Sequence, residues 1–227
     1  MSDPVRIAIA GTGRMGASVA AAIGRRDDCE LVGRWARGDD LARLVQDADV
    51  VIDFTLPGAT AAIAAACASA GKPLVCGVTG LDAAGQEALA RAADSIAVVY
   101  DRNMSIGIAV LANIIPEVSA ALGPGFRIAI HETHHVHKKD APSGTALKLG
   151  EALARDASNP AIDYKSERRG EVPGDHEVRF ESPTETLSLG HSVVTRDVFA
   201  EGALRAALWA KDRPAGIFSM HDVLSAD

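Results

Sequence analysis

The sequence is poor in cysteine, and the few cysteines that it has lack any spacing that would link them. Cys29, Cys67 and Cys76 are odd in number, and no pair follows a CxxC pattern. This arrangement disfavours a disulfide framework and a cysteine-rich zinc site. We therefore expect all three to be small, buried, apolar residues.

The sequence also lacks a long apolar segment and an excess of positive charge. The longest run of low polarity, residues 58–71, is shorter than the roughly 20 residues that a transmembrane helix needs. No signal-like segment precedes the first strand-like run. The formal net charge of −7 disfavours nucleic acids and anionic membranes as main partners. We therefore expect a cytoplasmic protein with no nucleic-acid or membrane partner, in which a local basic cluster still suits a small anion.

The first half of the chain contains short apolar runs that alternate with alanine-rich helical segments at residues 59–70 and 82–93. The runs are at residues 5–10, 30–35, 49–55, 73–79 and 96–101. Strands buried on both faces and separated by helices predict an α/β fold with a doubly wound parallel sheet of the Rossmann type.

The pattern changes after about residue 104. Helices are predicted at 105–123, with a kink expected at Pro116, at 144–157 and at 197–213, and strands at 126–133, 176–182 and 185–196. We therefore predict a dinucleotide-binding domain, residues 1–104 with 197–227, and an inserted α+β domain for substrate binding and oligomerisation, residues 105–196. The charged segment 165–175 is predicted to be a mobile loop.

A glycine-rich turn follows the first predicted strand directly and opens a helix. Its residues, Gly11, Thr12, Gly13, Arg14, Met15 and Gly16, fit the G-x-G-x-x-G pattern of dinucleotide-binding proteins in the required context. Such glycines permit a tight turn, a close approach of the pyrophosphate and close helix packing, while the helix start supplies free N–H groups. The alternative is an ordinary strand–helix turn that needs glycine for geometry alone.

The segment after the second strand bears on which nucleotide binds. An NAD site usually has a carboxylate there for the ribose hydroxyls. Ala36 and Arg37 occupy that place, and Asp39 and Asp40 come slightly late. The missing carboxylate and the available guanidinium favour the 2′-phosphate of NADPH, with Arg37 the first candidate and Arg34 the second. For both arginines, the alternative is a solvated surface side chain. The pattern is also compatible with acceptance of NADH.

Residues 131–135 contain the letters HExxH, which bind zinc when they lie on a helix. Ile128 and Ile130 alternate with polar or small residues, and this period of two predicts a strand. On a strand, His131 and His135 would lie about 13 Å apart, too far to share one ion with bonds of about 2.1 Å. We therefore predict no metal site, although an irregular loop that gathers His134, His135 and His137 is a remaining alternative.

The same segment suits an anion and a proton transfer. Three histidines and two lysines lie within residues 134–139, and Ser143 then occupies a helix N-cap position before Gly144 and Thr145. Free N–H groups, hydroxyls and a lysine together suit a carboxylate, and histidine exchanges protons near neutral pH. A simple capping turn with solvated charges is the alternative.

The stretch ETHHVHKKDAPSGTA, residues 132–146, resembles the signature of the dihydrodipicolinate reductase family, also called 4-hydroxy-tetrahydrodipicolinate reductases. Residues 51–55, 76–80, 101–107 and 202–209 are similar to other segments of that family, so the resemblance covers nearly the whole chain. It implies an enzyme that reduces a cyclic imine dicarboxylate with NADPH or NADH in the diaminopimelate route to lysine, usually as a homotetramer built through the sheet of the insert.

The resemblance also implies roles for individual residues. His134 is similar to the family's proton donor or acceptor, Lys138 to its proton donor, and His135, with Gly144 and Thr145, to its substrate-binding group. The loops expected to hold the nicotinamide side of the cofactor contain Gly77, Val78, Thr79, Asp101, Arg102, Asn103 and Met104. Independently of the resemblance, Ser143 and Thr145 are predicted to orient one substrate carboxylate, and Arg196 is a candidate for the other.

Two departures from the family pattern affect the cofactor region. The stretch between Arg37 and Asp49 is short, and Leu56 stands where some relatives have an arginine. Both leave the choice between NADPH and NADH open. A metal hydrolase and a non-catalytic nucleotide sensor remain the alternative classes.

Overall fold

The computed structural model describes residues 3–154 and 161–225, which form two units. One unit is Met1–Ile106 with Arg196–Asp227, and the other is Gly107–Thr195. The assignment of cofactor binding to the first, and of substrate binding and oligomerisation to the second, stays a prediction.

The first unit is built on a sheet of six parallel strands. The strands are β1 (Val5–Ala10), β2 (Cys29–Trp35), β3 (Val50–Asp53), β4 (Leu74–Cys76), β5 (Ala97–Tyr100) and β10 (Gly216–Phe218). They lie in the order β10-β5-β4-β3-β1-β2. The helices of this unit are α1 (Arg14–Ile23), α2 (Leu41–Gln46), α3 (Pro57–Ala70), α4 (Ala83–Ala93), α7 (Asp197–Ala210) and α8 (Met220–Ser225).

Apolar residues on both faces of these strands explain why the sheet is central to its unit. Every residue of β3 and β4 is buried, and Ile7 and Ile9 of β1 are fully buried. Side chains buried on both faces are typical of a parallel sheet covered by helices on each side. Local signals define the helix starts, since the carboxylates of Asp40 and Asp82 accept backbone N–H groups at the starts of α2 and α4.

The second unit is built on a mixed sheet of four strands. Its strands are β6 (Arg127–His134), β7 (Ile162–Arg168), β8 (Asp175–Glu181) and β9 (Thr186–Ser192), in the order β7-β6-β8-β9. β6 pairs in parallel with β7 and antiparallel with β8, which pairs antiparallel with β9. Helices α5 (Ile106–Leu122) and α6 (Gly144–Leu153) pack their apolar residues on one face of this sheet.

The register of the second sheet places polar residues at one end of its packed face. Ile128 and Ile130 of β6 lie in the apolar core, and because side chains alternate, Glu132 and His134 point to the same side. Glu132 pairs with Ser166 on β7 and with His176 on β8. His134 pairs with Arg168 on β7. Beyond the apolar rows, this face of the sheet therefore becomes polar.

The predicted fold class is confirmed, and so are the main predicted strands and helices. The three cysteines are buried as expected, and burial, reinforced by the charge of Asp53, raises the pKa of Cys67 and of Cys76 to about 12. α5 continues through Pro116 to Leu122. The last residues of the predicted helix 144–157, residues 155–157, lie outside the described residues.

The prediction of a loop over residues 165–175 is wrong for its first part. Residues 165–168 belong to β7, whose partner β6 is more than 30 residues earlier in the chain. The prediction was based on Gly170, Pro173 and Gly174 and on the charge of this stretch. Lys165 and Glu167 are instead exposed side chains of β7, because a strand with one open face carries polar residues on that face. The short elements α2, β10 and α8 were also missed.

Among the described residues, no helix combines the length and the apolar character that crossing a bilayer requires.

The returning C-terminal segment supports the loop after β5 through a close helix contact. A Cβ atom added at Gly202 of α7 would lie 1.7 Å from the carbonyl oxygen of Met104, so this position requires glycine. We expect Gly202→Ala to lower the free energy of unfolding by about 2 kcal/mol or more, because overpacking forces the backbone apart. In the first turn of α3, Gly58 has nothing within 4 Å of an added Cβ. Gly58→Ala is therefore expected to be neutral or to stabilise by up to about 1 kcal/mol. Urea denaturation measures the free energy of unfolding of both variants. Equal changes for Gly202→Ala and Gly58→Ala would contradict the prediction.

Candidate active site

The predicted cofactor residues of the first unit lie at the carboxyl ends of neighbouring parallel strands. Ala10 of β1 is level with Trp35 of β2 and with Asp53 of β3, Asp53 is level with Cys76, and Cys76 with Tyr100. The residues that follow these strands therefore share one edge of the sheet. Open α/β sheets bind their ligands at this edge. The structure brings together there Gly11–Gly16, Gly77–Thr79, Asp101–Met104 and Arg37.

The glycine-rich turn has the geometry that a dinucleotide site needs. Gly11 has φ +118°, and a Cβ there would lie 2.8 Å from the carbonyl oxygen of Phe54. A Cβ at Gly16 would lie 2.1 Å from the carbonyl oxygen of Gly11. In the part of the chain that the structure describes, Gly13 has open space beside it and α1 has no side-chain cap. The helix start thus leaves room and free N–H groups for a pyrophosphate, so the residues fit a dinucleotide.

The loops after β3 and β5 are held by buried carboxylates. Asp53 accepts hydrogen bonds from the Thr55 backbone N–H at 2.8 Å and from the hydroxyls of Thr55 and Thr60 at 2.7 and 3.1 Å. Burial raises the pKa of the Asp53 carboxyl, although these bonds oppose the shift. Asp101 accepts from the backbone N–H of Asn103 at 3.1 Å and of Met220 at 3.3 Å. The loops at this edge are therefore fixed by the protein itself.

Two of the predicted cofactor residues are part of the apolar core. Val78 is 3% exposed and Met104 is 2% exposed. Their side chains are therefore unavailable to a ligand at the sheet edge, and any contact that they make there comes from the main chain.

The carboxylates after β2 are already used by the backbone. Asp39 accepts from the backbone N–H of Ala36 at 2.8 Å, and Asp40 accepts from that of Arg43 at 3.0 Å as the cap of α2. Arg37 is exposed in the turn between Ala36 and Asp39. On β2, the Nε and Nη2 atoms of Arg34 are buried and have no hydrogen-bond partner among residues 3–154 and 161–225. The guanidinium groups of Arg34 and Arg37 therefore lie near the end of β2. The carboxylates of this turn, Asp39 and Asp40, are both hydrogen-bonded to backbone N–H groups.

The predicted catalytic residues of the second unit lie at the end of β6 and in the loop that follows it. His134 is the last residue of β6 and is 7% exposed. Its backbone carbonyl accepts from the N–H of Arg169 at 2.8 Å, and the N–H of Val136 donates to the carbonyl of Gly170 at 3.1 Å. These bonds extend the β6–β7 pairing beyond the strands, so the start of the catalytic loop is held in place.

A buried carboxylate joins His134 to an arginine that sequence analysis did not identify. Glu132 is 2% exposed, and its Oε2 atom lies 2.5 Å from Nδ1 of His134. The Arg168 guanidinium donates to both carboxylate oxygens, at 2.9 and 3.0 Å. A bidentate pair of this kind is strong and geometrically specific. Glu132 is therefore fixed on both sides, by a guanidinium and by an imidazole.

The charge states follow from these contacts. Burial opposes ionisation of Glu132, but the hydrogen bonds from Arg168, Ser166 and His134 outweigh it and hold the pKa of the carboxyl below its usual value. Burial lowers the pKa of the His134 imidazole, and the charges of Lys138 and Arg168 lower it further, against the opposing effect of Glu132. At neutral pH, Glu132 is therefore ionised and His134 is neutral, with its Nδ1–H donated to Glu132.

A second buried histidine packs against the first. His176 is 4% exposed, and its ring is perpendicular to that of His134, with 5.1 Å between the ring centroids. Its Nε2 atom lies 3.1 Å from the hydroxyl of Ser143, which accepts from the backbone N–H of Ala146 at 3.1 Å. Burial, reinforced by His134, lowers the pKa of His176 to about 3. Ser143 is itself 1% exposed, so its hydroxyl caps α6 and is not a free donor to a ligand.

The lysine of the motif is oriented by a carboxylate. The Nζ atom of Lys138 lies 2.9 Å from Oδ1 of Asp140, and the Lys138 side chain is 22% exposed. Arg168 donates from Nε to the backbone carbonyl of Lys138 at 3.2 Å and from Nη2 to that of Asp140. His135 is half-buried, and among the described residues its Nδ1 atom has no hydrogen-bond partner. Lys138 and His135 lie in the loop between β6 and α6, and Gly144 and Thr145 are the first residues of α6.

The HExxH residues do not form a helical metal site. His131, Glu132 and His134 all lie on β6, as the alternation predicted. Within residues 3–154 and 161–225, no three His, Cys, Asp or Glu side chains are grouped so that they could hold a metal ion. Glu132, the letter that a metalloprotease would use as its base, is committed to Arg168 and His134.

Sequence analysis missed Glu132, Arg168 and His176 as members of this cluster. The spacing of Glu132 and His134, two residues apart on a predicted strand, already placed both on one face. Arg168 and His176 come to His134 only through strand pairing with β7 and β8. No local pattern in the sequence contains that information.

Two family models match the chain. The model described as "Dihydrodipicolinate reductase, N-terminus" matches residues 5–104, and the one described as "Dihydrodipicolinate reductase, C-terminus" matches residues 107–224. Together they cover almost the whole sequence. They meet between residues 104 and 107, where the N-terminal segment of the first unit ends, and the second model extends over α7, β10 and α8, which belong to the first unit.

Curated relatives and a solved structure to which the chain is similar carry the same family name. The chain is 41% identical to the 4-hydroxy-tetrahydrodipicolinate reductase of Halorhodospira halophila, over 92% of this chain and 90% of that protein. It is 40% identical to the reductase of the same name from Caulobacter vibrioides, over 99% and 98% of the two chains. The structure of dipicolinate-bound dihydrodipicolinate reductase from Paenisporosarcina sp. TG-14 is similar, with a TM-score of 0.82, 20% identity, and coverage of 98% of this chain and 100% of that one. At that identity the structural match supports the fold alone.

The low pKa of His176 makes stability depend on pH. The buried imidazole is neutral in the folded protein and protonates near pH 6.5 when unfolded, so stability is expected to fall as the pH drops from about 6.5 towards 3. His176→Gln removes the titrating group and leaves an amide that can bond to Ser143. For each pH unit over this range, we expect the free energy of unfolding of His176→Gln to fall by up to about 1.4 kcal/mol less than that of the wild type.

The control for this prediction is His137→Gln, because the side chain of His137 is 74% exposed. Urea denaturation between pH 4 and 7 measures the slope for all three proteins. A slope for His176→Gln equal to those of the wild type and His137→Gln would show that His176 does not cause the pH dependence.

Proposed function

Since this chain belongs to the dihydrodipicolinate reductase family, we propose that it reduces 4-hydroxy-tetrahydrodipicolinate to tetrahydrodipicolinate with NADPH, in the diaminopimelate route to lysine. The observation that carries this proposal is the cluster of His134, Lys138 and the start of α6 within one unit of a chain whose other unit has a dinucleotide-binding turn. The family is one of nicotinamide-dependent oxidoreductases.

The substrate is proposed to be bound as a small dicarboxylate. The start of α6 at Gly144 and Thr145, with Ser143 capping the helix, is the proposed position of one carboxylate. The positive end of a helix favours a negative charge. His135 and Lys138, in the loop before this helix, are proposed to add donors. Arg196, the residue before α7, is the proposed partner of the other carboxylate.

The proton step is assigned to Lys138 and His134. Hydride addition to a conjugated cyclic imine leaves an electron-rich enamine, and the adjacent ring carbon then takes up a proton. Lys138 is the proposed donor, because Asp140 holds its side-chain nitrogen in place and an ammonium group is a hydrogen donor only. Neutral His134 can pass a proton through Nε2, since its Nδ1 is committed to Glu132. The ammonium also stabilises the negative charge of the dicarboxylate throughout.

The proposed cofactor residues are those at the carboxyl edge of the first sheet. Gly11, Thr12, Gly13, Arg14, Met15 and Gly16 would hold the pyrophosphate, and residues 77–79 with 101–104 the nicotinamide side. The bound nicotinamide supplies the hydride. We propose a preference for NADPH, because Asp39 and Asp40 are bonded to backbone N–H groups while Arg37 is exposed beside them. Arg34, whose buried donors have no partner in the described part of the chain, is the second candidate for the 2′-phosphate.

The proposed assembly is a cytoplasmic homotetramer formed through the sheet of the second unit. Two observations support an interface there. β9 is an edge strand of this sheet, with Leu187 40% exposed, and Val194 just beyond it is 90% exposed. Exposed edge strands with apolar side chains tend to be covered by another chain.

Lys138→Ala tests the proton step. We expect kcat to fall by at least about 100-fold with little change in cofactor Kd, because general acid catalysis contributes on that scale. The assay is NADPH oxidation at 340 nm with substrate made in situ. The matched control is Lys139→Ala, because Lys139 is the exposed neighbour in the same loop. Equal rates for both variants would remove Lys138 from its role.

Arg37→Ala tests the choice of nucleotide. Removal of the guanidinium is expected to raise the Kd of NADPH about 10-fold or more and to leave that of NADH nearly unchanged, because only the 2′-phosphate makes a charge-assisted bond there. Titration of cofactor fluorescence measures both constants. Arg43→Ala, an exposed arginine of α2, serves as the control. Parallel weakening of NADPH and NADH by Arg37→Ala would contradict the assignment.

A further inference from the structure

The contacts of Glu132 and Arg168 point to a role for both residues in the proton step. We propose that they are positioning residues: Arg168 fixes the Glu132 carboxylate, which holds His134 with its proton on Nδ1 and directs Nε2 to the substrate. This inference deepens the proposed function and rests on it, since it concerns the same histidine. Neither residue is required to touch the substrate.

The geometry around Nδ1 of His134 determines which ring nitrogen exchanges the proton. Glu132 Oε2 lies 2.5 Å from this atom, and an ionised carboxylate can only accept a hydrogen bond. Nδ1 must therefore carry a proton whether the imidazole is neutral or charged. The other nitrogen, Nε2, is then the atom that gains and loses a proton, as it is in catalytic dyads in which a carboxylate orients a histidine.

A glycine lies against Nε2 of His134. A Cβ added at Gly174 would lie 3.0 Å from Nε2 of His134, which is tighter than nearly all real contacts of this kind. Glycine at this position therefore keeps a side chain away from the nitrogen that exchanges the proton. The perpendicular ring of His176 packs beside the imidazole and limits its rotation.

Arg168 also links the two predicted catalytic residues, His134 and Lys138. Its guanidinium bonds both oxygens of Glu132 and also the backbone carbonyls of Lys138 and Asp140. Asp140 in turn holds the Lys138 ammonium. One side chain on β7 therefore sets the orientation of His134 through Glu132 and the position of the loop that carries Lys138.

The charges that face His134 come from every element around it. Glu132 on β6 is negative, Arg168 on β7 and Lys138 in the following loop are positive, and His176 on β8 is neutral. Glu132 raises the pKa of His134, whereas Arg168 and Lys138 lower it. Removal of Glu132 or of Arg168 should therefore move this pKa in opposite directions. A purely structural role for the two residues gives no such opposition.

The experiment compares the wild type with Glu132→Gln and Arg168→Gln. The pKa of His134 is measured by NMR on protein with ¹³C-labelled histidine, and its signal is identified by its loss in His134→Gln. We expect the pKa to fall in Glu132→Gln and to rise in Arg168→Gln, each by about one pH unit. In both variants kcat is expected to fall about 10-fold or more, with the KM for the cofactor unchanged. Shifts in the same direction, or no shifts, would overturn the proposal.

Two further variants separate charge from geometry. Arg168→Lys keeps the charge but loses the planar fork, so the pKa of His134 should stay near the wild-type value while kcat still falls about 10-fold. Arg169→Gln is the control, because this neighbouring arginine is 63% exposed. It should change neither quantity. If Glu132→Gln does not fold, the two Arg168 variants decide alone: a raised pKa in Arg168→Gln and a near-normal pKa in Arg168→Lys are both required.

The two readouts also distinguish this inference from the proposed function. The NMR titration needs no turnover. Opposed pKa shifts in a protein that does not reduce the imine dicarboxylate would overturn the proposed function and keep the positioning geometry. Normal turnover with no opposed shifts would overturn the positioning role alone.

Discussion

The buried ion pair between Glu132 and Arg168 is the interaction on which the catalytic cluster depends. A carboxylate that is 2% exposed is costly to ionise, and three partners offset that cost by hydrogen bonding, the guanidinium, the Ser166 side chain and the His134 imidazole. Loss of one partner from such a pair typically costs about 3–5 kcal/mol, because it leaves a buried charge unpaired. The pair is therefore a requirement of the site as well as a result of the fold.

That ion pair exists because of strand register. Arg168 on β7 is level with His134 on β6, and Ser166 is level with Glu132. Side chains alternate along a strand, so a slip of one residue would turn Arg168 to the other face of the sheet. Ile162 and Tyr164 of β7 pack against the apolar core of this unit, and this packing opposes that slip. Packing at one end of the sheet thus fixes the electrostatics at the other end, where the loop with Lys138 begins.

Sequence patterns predicted the parts of this protein that local chemistry determines. The apolar runs gave the parallel sheet, the turn at Gly11–Gly16 gave the dinucleotide fingerprint, and alternation at Ile128 and Ile130 excluded a helical HExxH site. β7 escaped prediction because its residues are mostly polar and its pairing is with a distant strand. Arg168 and His176 were missed with it, since their roles arise from tertiary contacts. Ser143 caps α6, as its position in the sequence predicted, and its contact with the substrate stays a prediction.

The central claim is that an ionised Glu132 holds His134 with the proton on Nδ1. Neutron diffraction from deuterium-exchanged crystals of the wild-type protein at pH 7 locates that proton directly. The account predicts nuclear density for deuterium on Nδ1 of His134, none on Nε2, and none on either oxygen of Glu132. Deuterium on Nε2 with Nδ1 bare, or on the Glu132 carboxyl, would contradict it.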